Sequence, residues 1–240
     1  GSCPQAGTYT NTWTVDDNCG NTSLVYTQVI TIIDNIGPVW NQAPNFLNRN
    51  LACADTTGLN AALALAPTAT DNCGISTVAL VSDITVTGNC AGSYTRTRKW
   101  SATDNCGNIN AMQYTQVISV TDNNAPVWDL AAGELDASAA CDDPDGLDAA
   151  LALEPTASDE CASGVTISLA TDNIINGACL GSYTRIRTWT AADDCGNINP
   201  SVYTQTILVI DTLAPLFYNI PAGVFISCEN PLPPVPVNIT

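Results

Sequence analysis

Apolar and polar residues alternate with a period of two along much of this chain. Tyr94, Arg96, Arg98, Trp100 and Ala102 share one face of such a stretch, and Thr95, Thr97, Lys99 and Ser101 share the other. Gln116, Ile118, Val120 and Asp122 alternate in the same way with Val117, Ser119 and Thr121. Runs of this kind, rich in Thr, Val, Ile, Tyr and Trp, predict β-strands. Between the two lies Asp104-Asn105-Cys106-Gly107-Asn108, a turn cluster whose glycine suits positive φ. The pair therefore predicts a hairpin. Upstream, residues 76–87 and 165–173 predict a further strand, and short strands are expected at 39–40 and near 48–53. The Ala/Leu-rich stretches 58–66 and 146–153 break the alternation and leave strand or one to two helical turns open. Short strands separated by turns at intervals of about ten residues predict antiparallel β-sandwiches of immunoglobulin-like type, an all-β fold.

The hairpin is written three times, at residues 12–40, 99–128 and 188–217. Pro38 recurs as Pro126 and Pro215, 88 and then 89 residues later. Repetition at a fixed period predicts a tandem, rod-like array of small domains. The expected organisation is two complete repeats, 38–125 and 126–214. They are flanked by 1–37, matching the C-terminal part of a repeat, and by 215–240, matching the N-terminal part. The chain reads as a window on a longer array.

Charge narrows the partners. The formal net charge is −17, with six Lys and Arg and no His. Nucleic acid is excluded as a partner class, because phosphate binding needs a basic footprint. No apolar run is long enough to span a membrane. Histidine-based nucleophilic catalysis has no base, and the acidic pairs recur in every repeat at turns, so the chain is not expected to be an enzyme.

The sequence holds 11 cysteines at repeated offsets, which places the chain in an oxidising, extracellular compartment. Each complete repeat has four. The strands between Cys90 and Cys106, and between Cys73 and Cys90, are too long for either pair to close, since bridged Cα atoms lie within about 7 Å. Within a repeat this leaves Cys53–Cys90 and Cys73–Cys106, and in the next Cys141–Cys179 and Cys161–Cys195. Cys53 and Cys90 would then share one pole of the sandwich, and Cys73 and Cys106 the other. Cys3, Cys19 and Cys228 would be unpaired in this window. The alternative is sequential pairing (Cys53–Cys73, Cys90–Cys106, Cys3–Cys19). Zinc ligation is disfavoured, because close cysteine pairs and histidines are absent.

Acidic residues gather at the poles and at the repeat junctions. Asp34, Asp104, Asp122, Asp193 and Asp211 are candidate calcium ligands, and structural calcium is the one cofactor expectation. The competing reading is that Asp and Asn form turns by bonding their own backbone. Trp13, Trp100 and Trp189 are expected in the core. Trp40, Trp128 and Phe217 follow the junction prolines and are expected to pack between domains; an exposed sugar platform is the alternative. Arg96, Arg98, Arg185 and Arg187 are expected to pair with carboxylates across the sheet.

The pattern Trp-x-Ala-x-Asp-Asn-Cys-Gly-Asn, followed by Tyr-Thr-Gln-x-Ile-x-Val-x-Asp-x-x-Ala-Pro-Val, resembles hyalin-type (HYR-like) immunoglobulin-fold repeats. The cysteine-rich form, with Pro-Thr-Ala-Thr-Asp-Asn-Cys-Gly, is similar to tandem repeats of large Bacteroidota surface adhesins, the gliding-motility type included. The resemblance covers essentially the whole chain, although the 58–66 segment has no clear counterpart. It implies a structural or adhesive stalk segment of a fibre on the bacterial cell surface, with no catalytic residues. It also implies glycosylation, for which Thr56 and Thr212 fit the Asp-Thr pattern. Expected partners are neighbouring repeats, surface glycans or other cells, and copies of the chain itself. A carbohydrate-binding array and a self-assembling filament subunit are the alternative functions.

Overall fold

The computed structural model describes residues 6–161 and 164–216. A first hairpin pairs β1 (Gly7–Trp13) with β2 (Tyr26–Ile32). Then one set of elements occurs twice. The first set is β3 (Val39–Trp40), β4 (Arg49–Ala52), α1 (Thr56–Ala64), β5 (Ala69–Thr70), β6 (Ser76–Thr87), β7 (Tyr94–Asp104) and β8 (Tyr114–Thr121). The second is β9 (Val127–Trp128), β10 (Ala137–Ala140), α2 (Pro144–Leu151), β11 (Ala157–Ser158), β12 (Val165–Asn176), β13 (Tyr183–Asp193) and β14 (Tyr203–Ile210). The four-stranded sheets have the orders β4-β8-β7-β6 and β10-β14-β13-β12, each faced by a two-stranded ladder, β3–β5 or β9–β11. This is an all-β, immunoglobulin-like sandwich. It departs from a wholly antiparallel one, because β4 pairs with β8, and β10 with β14, in parallel. Side-chain alternation reports which face a residue lies on, not which way its neighbour runs.

Period two decides the core. On β7 and β8 the in-phase residues Trp100, Ala102, Tyr114, Ile118 and Val120 are buried, as are their counterparts Trp189, Ala191, Tyr203, Ile207 and Val209. Trp13, expected in the core with Trp100 and Trp189, is instead exposed and packs on Tyr26, because β1 and β2 form a two-stranded sheet by themselves. The Ala/Leu segments resolve as helices. Asp55 and Asp143 cap them, accepting from the Gly58 and Gly146 amides at 2.7 and 3.0 Å. Leu59, Ala62 and Leu63 then fall on one helical face and pack on Ile118 and Val120.

A buried polar pair locks each helix to its sheet. Gln116, fully buried, donates through Nε2 to the carbonyls of Leu47 and Ala62 (2.9 and 3.1 Å). Its Oε1 accepts from Arg98 Nη1, which also donates to the Leu63 and Leu65 carbonyls at the end of α1. The Arg98 guanidinium lies 4.7 Å from the centre of the Trp100 ring. Gln205, Arg187 and Trp189 repeat the arrangement under α2. Arg96 and Arg185 cross the sheet as expected, clasping Asp83 and Asp172 through paired hydrogen bonds of 2.7–2.8 Å, and Arg98 Nε also lies 3.5 Å from Asp83 Oδ2.

Replacing Gln116 with Leu takes the amide donor from the buried Leu47 and Ala62 carbonyls and one acceptor from Arg98. The expected cost is about 2–4 kcal/mol, read as a fall in the urea midpoint; Gln205→Leu should match it, since the two sites are copies.

Candidate functional site, the inter-repeat junction

The thrice-repeated turn is built around one carboxylate. Asp104 Oδ1 accepts from the Cys106 and Asn108 amides, both at 2.8 Å, and Oδ2 from Asn108 Nδ2 at 2.8 Å. Asp193 does the same with Cys195 and Asn197, and Asp17 with Cys19 and Asn21. The chain then turns through Gly107, Gly196 or Gly20 at φ of +92, +89 or +88°. Burial pushes the Asp104 and Asp193 carboxyls up, but the donors of the loop outweigh it and hold both below the usual range. The loop therefore presents its cysteine in a fixed position. The turn reading holds for Asp17, Asp104 and Asp193.

Those cysteines bond across the junction. Cys53 joins Cys161 and Cys90 joins Cys195, with Cα atoms 5.9 and 5.0 Å apart. Cys106, the counterpart of Cys195, is disulfide-bonded as well. Cys19, Cys73, Cys141 and Cys179 are free thiols. This corrects the expected pairs Cys53–Cys90, Cys73–Cys106, Cys141–Cys179 and Cys161–Cys195, and the sequential alternative with them. Cys3 and Cys228 lie outside the described residues. The physical reason is that the cysteines of one pole face those of the next repeat's opposite pole. Excluding partners by strand length treated each repeat as closed.

Polar contacts accompany the bridges. The Ala91 amide donates to Asp194 Oδ2 (2.9 Å), and Asn197 Nδ2 donates to the Asp122 carbonyl (3.3 Å). Ser93 Oγ accepts from the Asp122 amide at 3.0 Å, tying the end of β8 to the Cys90 turn. Gly92 has φ +75° and lies against Cys161, whose carbonyl oxygen would be 2.9 Å from an added Cβ.

Of the predicted calcium ligands, Asp122 and Asp193 come together, joined by Asp159, which lay outside the predicted set. Asp34 and Asp104 also meet. Asp211 stands apart from both groups, beside the free Cys141. Burial, then Asp211 and Asp142, push the Cys141 thiol up; burial, then Asp34, Asp71 and Asp104, do the same for Cys73.

Trp40 and Trp128 do not pack between repeats. Trp40 packs edge-on against Tyr114 in its own unit, joins the cluster of Leu47 and Trp100, and donates to the Met112 carbonyl. Trp128 does the same with Tyr203 and the Ser201 carbonyl. A junction proline places its following side chain on the short ladder, which faces its own sheet. Phe217 lies outside the described residues. Thr56, at the start of α1, and Thr212 are both exposed.

Residues 44–120 match the family model described as an HYR-like domain with 4 cysteines. No curated protein matches the chain. Among solved structures it is similar to mouse clustered PcdhgC3 EC1-3, at 11% identity and TM-score 0.31, covering 86% of this chain and 77% of that one. It is also similar to human CDH23 EC21-23, at 17% identity and TM-score 0.30, covering 85% and 74%. The human Desmocollin-1 ectodomain shows 10% identity and TM-score 0.27, over 83% of this chain and 47% of that one. Likenesses this weak carry no argument about function. The matched segment, 44–120, lies within the first complete immunoglobulin-like sandwich, which carries disulfide bonds at Cys53 and Cys90. Among the described residues no helix is long and apolar enough to cross a membrane.

Gly92 and Gly181 separate the junction from the turn. An added Cβ at Gly181 meets only Cys141 atoms, at 3.6 Å. Gly181→Ala should cost about 1–2 kcal/mol for positive φ. Gly92→Ala should cost a further 1–3 kcal/mol, roughly, for crowding Cys161. Denaturation of the two variants in urea measures the difference, and equal costs would contradict the contact.

Proposed function

We propose that the chain is a stalk segment of an extracellular adhesive fibre on a bacterial surface, with covalent bonds joining successive repeats. Repeats 38–125 and 126–214 are its complete links, and 1–37 and 215–240 belong to neighbouring links. The role is structural rather than enzymatic. The observation that carries this reading is the pair of bridges, Cys53–Cys161 and Cys90–Cys195, joining two copies of one unit pole to pole.

The far pole of the second copy carries the same equipment. Cys141 and Cys179 are free where Cys53 and Cys90 are bonded. Asp211 accepts from the Leu213 amide, as Asp122 does from that of Asn124, and its own amide donates to Ser182 Oγ as that of Asp122 does to Ser93 Oγ. Gly181, like Gly92, has positive φ (+86 and +75°), and Leu180, in the place of Ala91, is fully exposed. A further repeat presenting the Asp-x-Cys-Gly-Asn loop would dock there, with Cys141 and Cys179 oxidised by a cellular thiol oxidase. Gliding motility and adhesion to glycans or cells are activities such a stalk would serve.

A second reading, lateral assembly of the chain with copies of itself, is favoured by the open edges of β6 and β12. Both leave apolar side chains uncovered, Ile84 and Val86 on one and Ile174 and Ile175 on the other.

Under tension the two bridges form parallel short-cuts that shield roughly 105 residues between Cys53 and Cys195. Pulling the oxidised chain by its ends should therefore give a contour length shorter by at least about 350 Å than in reductant. Equal lengths in both conditions would rule out the covalent-link reading.

A further inference from the structure

We propose that each inter-repeat junction holds a hard divalent cation of the calcium class, bound at the described junction by Asp122 of one repeat and Asp159 and Asp193 of the next. Three observations carry it. First, one carboxylate oxygen from each of the three residues lies within 4.8 Å of the others. That spacing suits a shared ion with oxygen ligands at about 2.3–2.6 Å.

Second, Asp122 is only 5% exposed, and its two oxygens are unequally served. Oδ1 accepts from the Asn124 amide at 3.0 Å and touches Cys53 Sγ. Oδ2 is buried without a hydrogen-bond partner. A buried carboxylate oxygen facing two other carboxylates is costly unless a cation or a proton answers it. Among the described residues no arginine or lysine is ion-paired with Asp122 or Asp193. Arg96 and Arg185 are clasped by Asp83 and Asp172, while Arg98 and Arg187 serve the helix ends. Arg49 donates to the Phe46 and Asn48 carbonyls, and Lys99 is an exposed residue in mid-strand on β7. Burial first, then Asp159, Asp193 and Asp194, push the Asp122 carboxyl above its ordinary range.

Third, the set is repeated. Asp34, Asp71 and Asp104 are the counterparts of Asp122, Asp159 and Asp193. Asp34 and Asp104 carboxylates again lie within 4.8 Å. Asp34 Oδ2 and Asp71 Oδ1 are buried without partners. Among the described residues, the carboxylate oxygens left in that state belong to Asp34, Asp71 and Asp122, all at these two places. The donor set is oxygen only, since Cys53 and Cys161 are spent in a disulfide, which favours calcium over softer metals. Because the ligands come from both sides of the junction, the ion would stiffen it. This inference stands on the carboxylates and does not depend on the stalk reading.

The test is calorimetric titration of calcium chloride into the oxidised full chain, stripped with chelator, at physiological salt. Saturable binding is expected at or below the millimolar range of extracellular sites, about 10⁻⁴–10⁻³ M. Asp122→Asn should weaken one site at least tenfold and should melt higher than the parent in chelator but gain less from calcium. Asp159→Asn, which keeps the Oδ1 acceptor for the Cys161 amide, is the second variant and should behave alike. No binding by the parent at millimolar calcium, unchanged binding by both variants, or magnesium bound as tightly as calcium would overturn the assignment.

Discussion

Two bodies joined by one bond can still turn about it, whereas two bonds several residues apart remove that freedom. Cys53–Cys161 and Cys90–Cys195 cross the same junction, and their loops of 108 and 105 residues overlap. In a chain-entropy account each loop alone contributes about 4–5 kcal/mol, and the two are not additive because they constrain the same segment. The larger consequence is mechanical. With both bridges intact, neither repeat can be drawn away from the other without breaking covalent bonds. The rest of the junction follows from holding the two poles in contact: the Ala91 amide meets Asp194, Asn197 reaches the Asp122 carbonyl, and Gly92 must remain glycine against Cys161.

That contact has an electrostatic cost. The loop that aims Cys195 needs an ionised Asp193 to receive three donors. Docking brings Asp122 of the preceding repeat against Asp193 and its neighbour Asp159, in a chain whose six basic residues are engaged elsewhere or exposed. The fold thus couples a covalent staple to a cluster of carboxylates at this junction, and the carboxylates of Asp34 and Asp104 meet again at the preceding one. In the interior the repeat solves a different problem. A helix of eight or nine residues is too short to be stable alone, and it is held by the buried Gln–Arg pair and by apolar packing on β8 or β14.

Much of this was legible in the sequence. The strand at 76–87 and the two-residue strand at 39–40 lie where alternation places them, and the poles carry the cysteines assigned to them. Gln116 sits in phase with Ile118 and Val120, so its burial was readable, although a polar residue in strand phase does not announce its partners. The helices were ambiguous, because short Ala/Leu runs fit either period until Asp55 and Asp143 are recognised as caps. The disulfide partners were not legible. Strand lengths limit pairing inside one repeat, but contacts between repeats carry no local signal. Trp40 and Trp128 misled for a related reason: proximity to a junction in sequence does not say which side a ring packs on.

The central claim is that the staples run between repeats. Peptide mapping of the unreduced, alkylated protein by mass spectrometry tests it most directly. The account predicts cross-linked peptides joining Cys53 to Cys161 and Cys90 to Cys195, with Cys19, Cys73, Cys141 and Cys179 alkylated. Peptides joining Cys53 to Cys90 and Cys161 to Cys195 would contradict it.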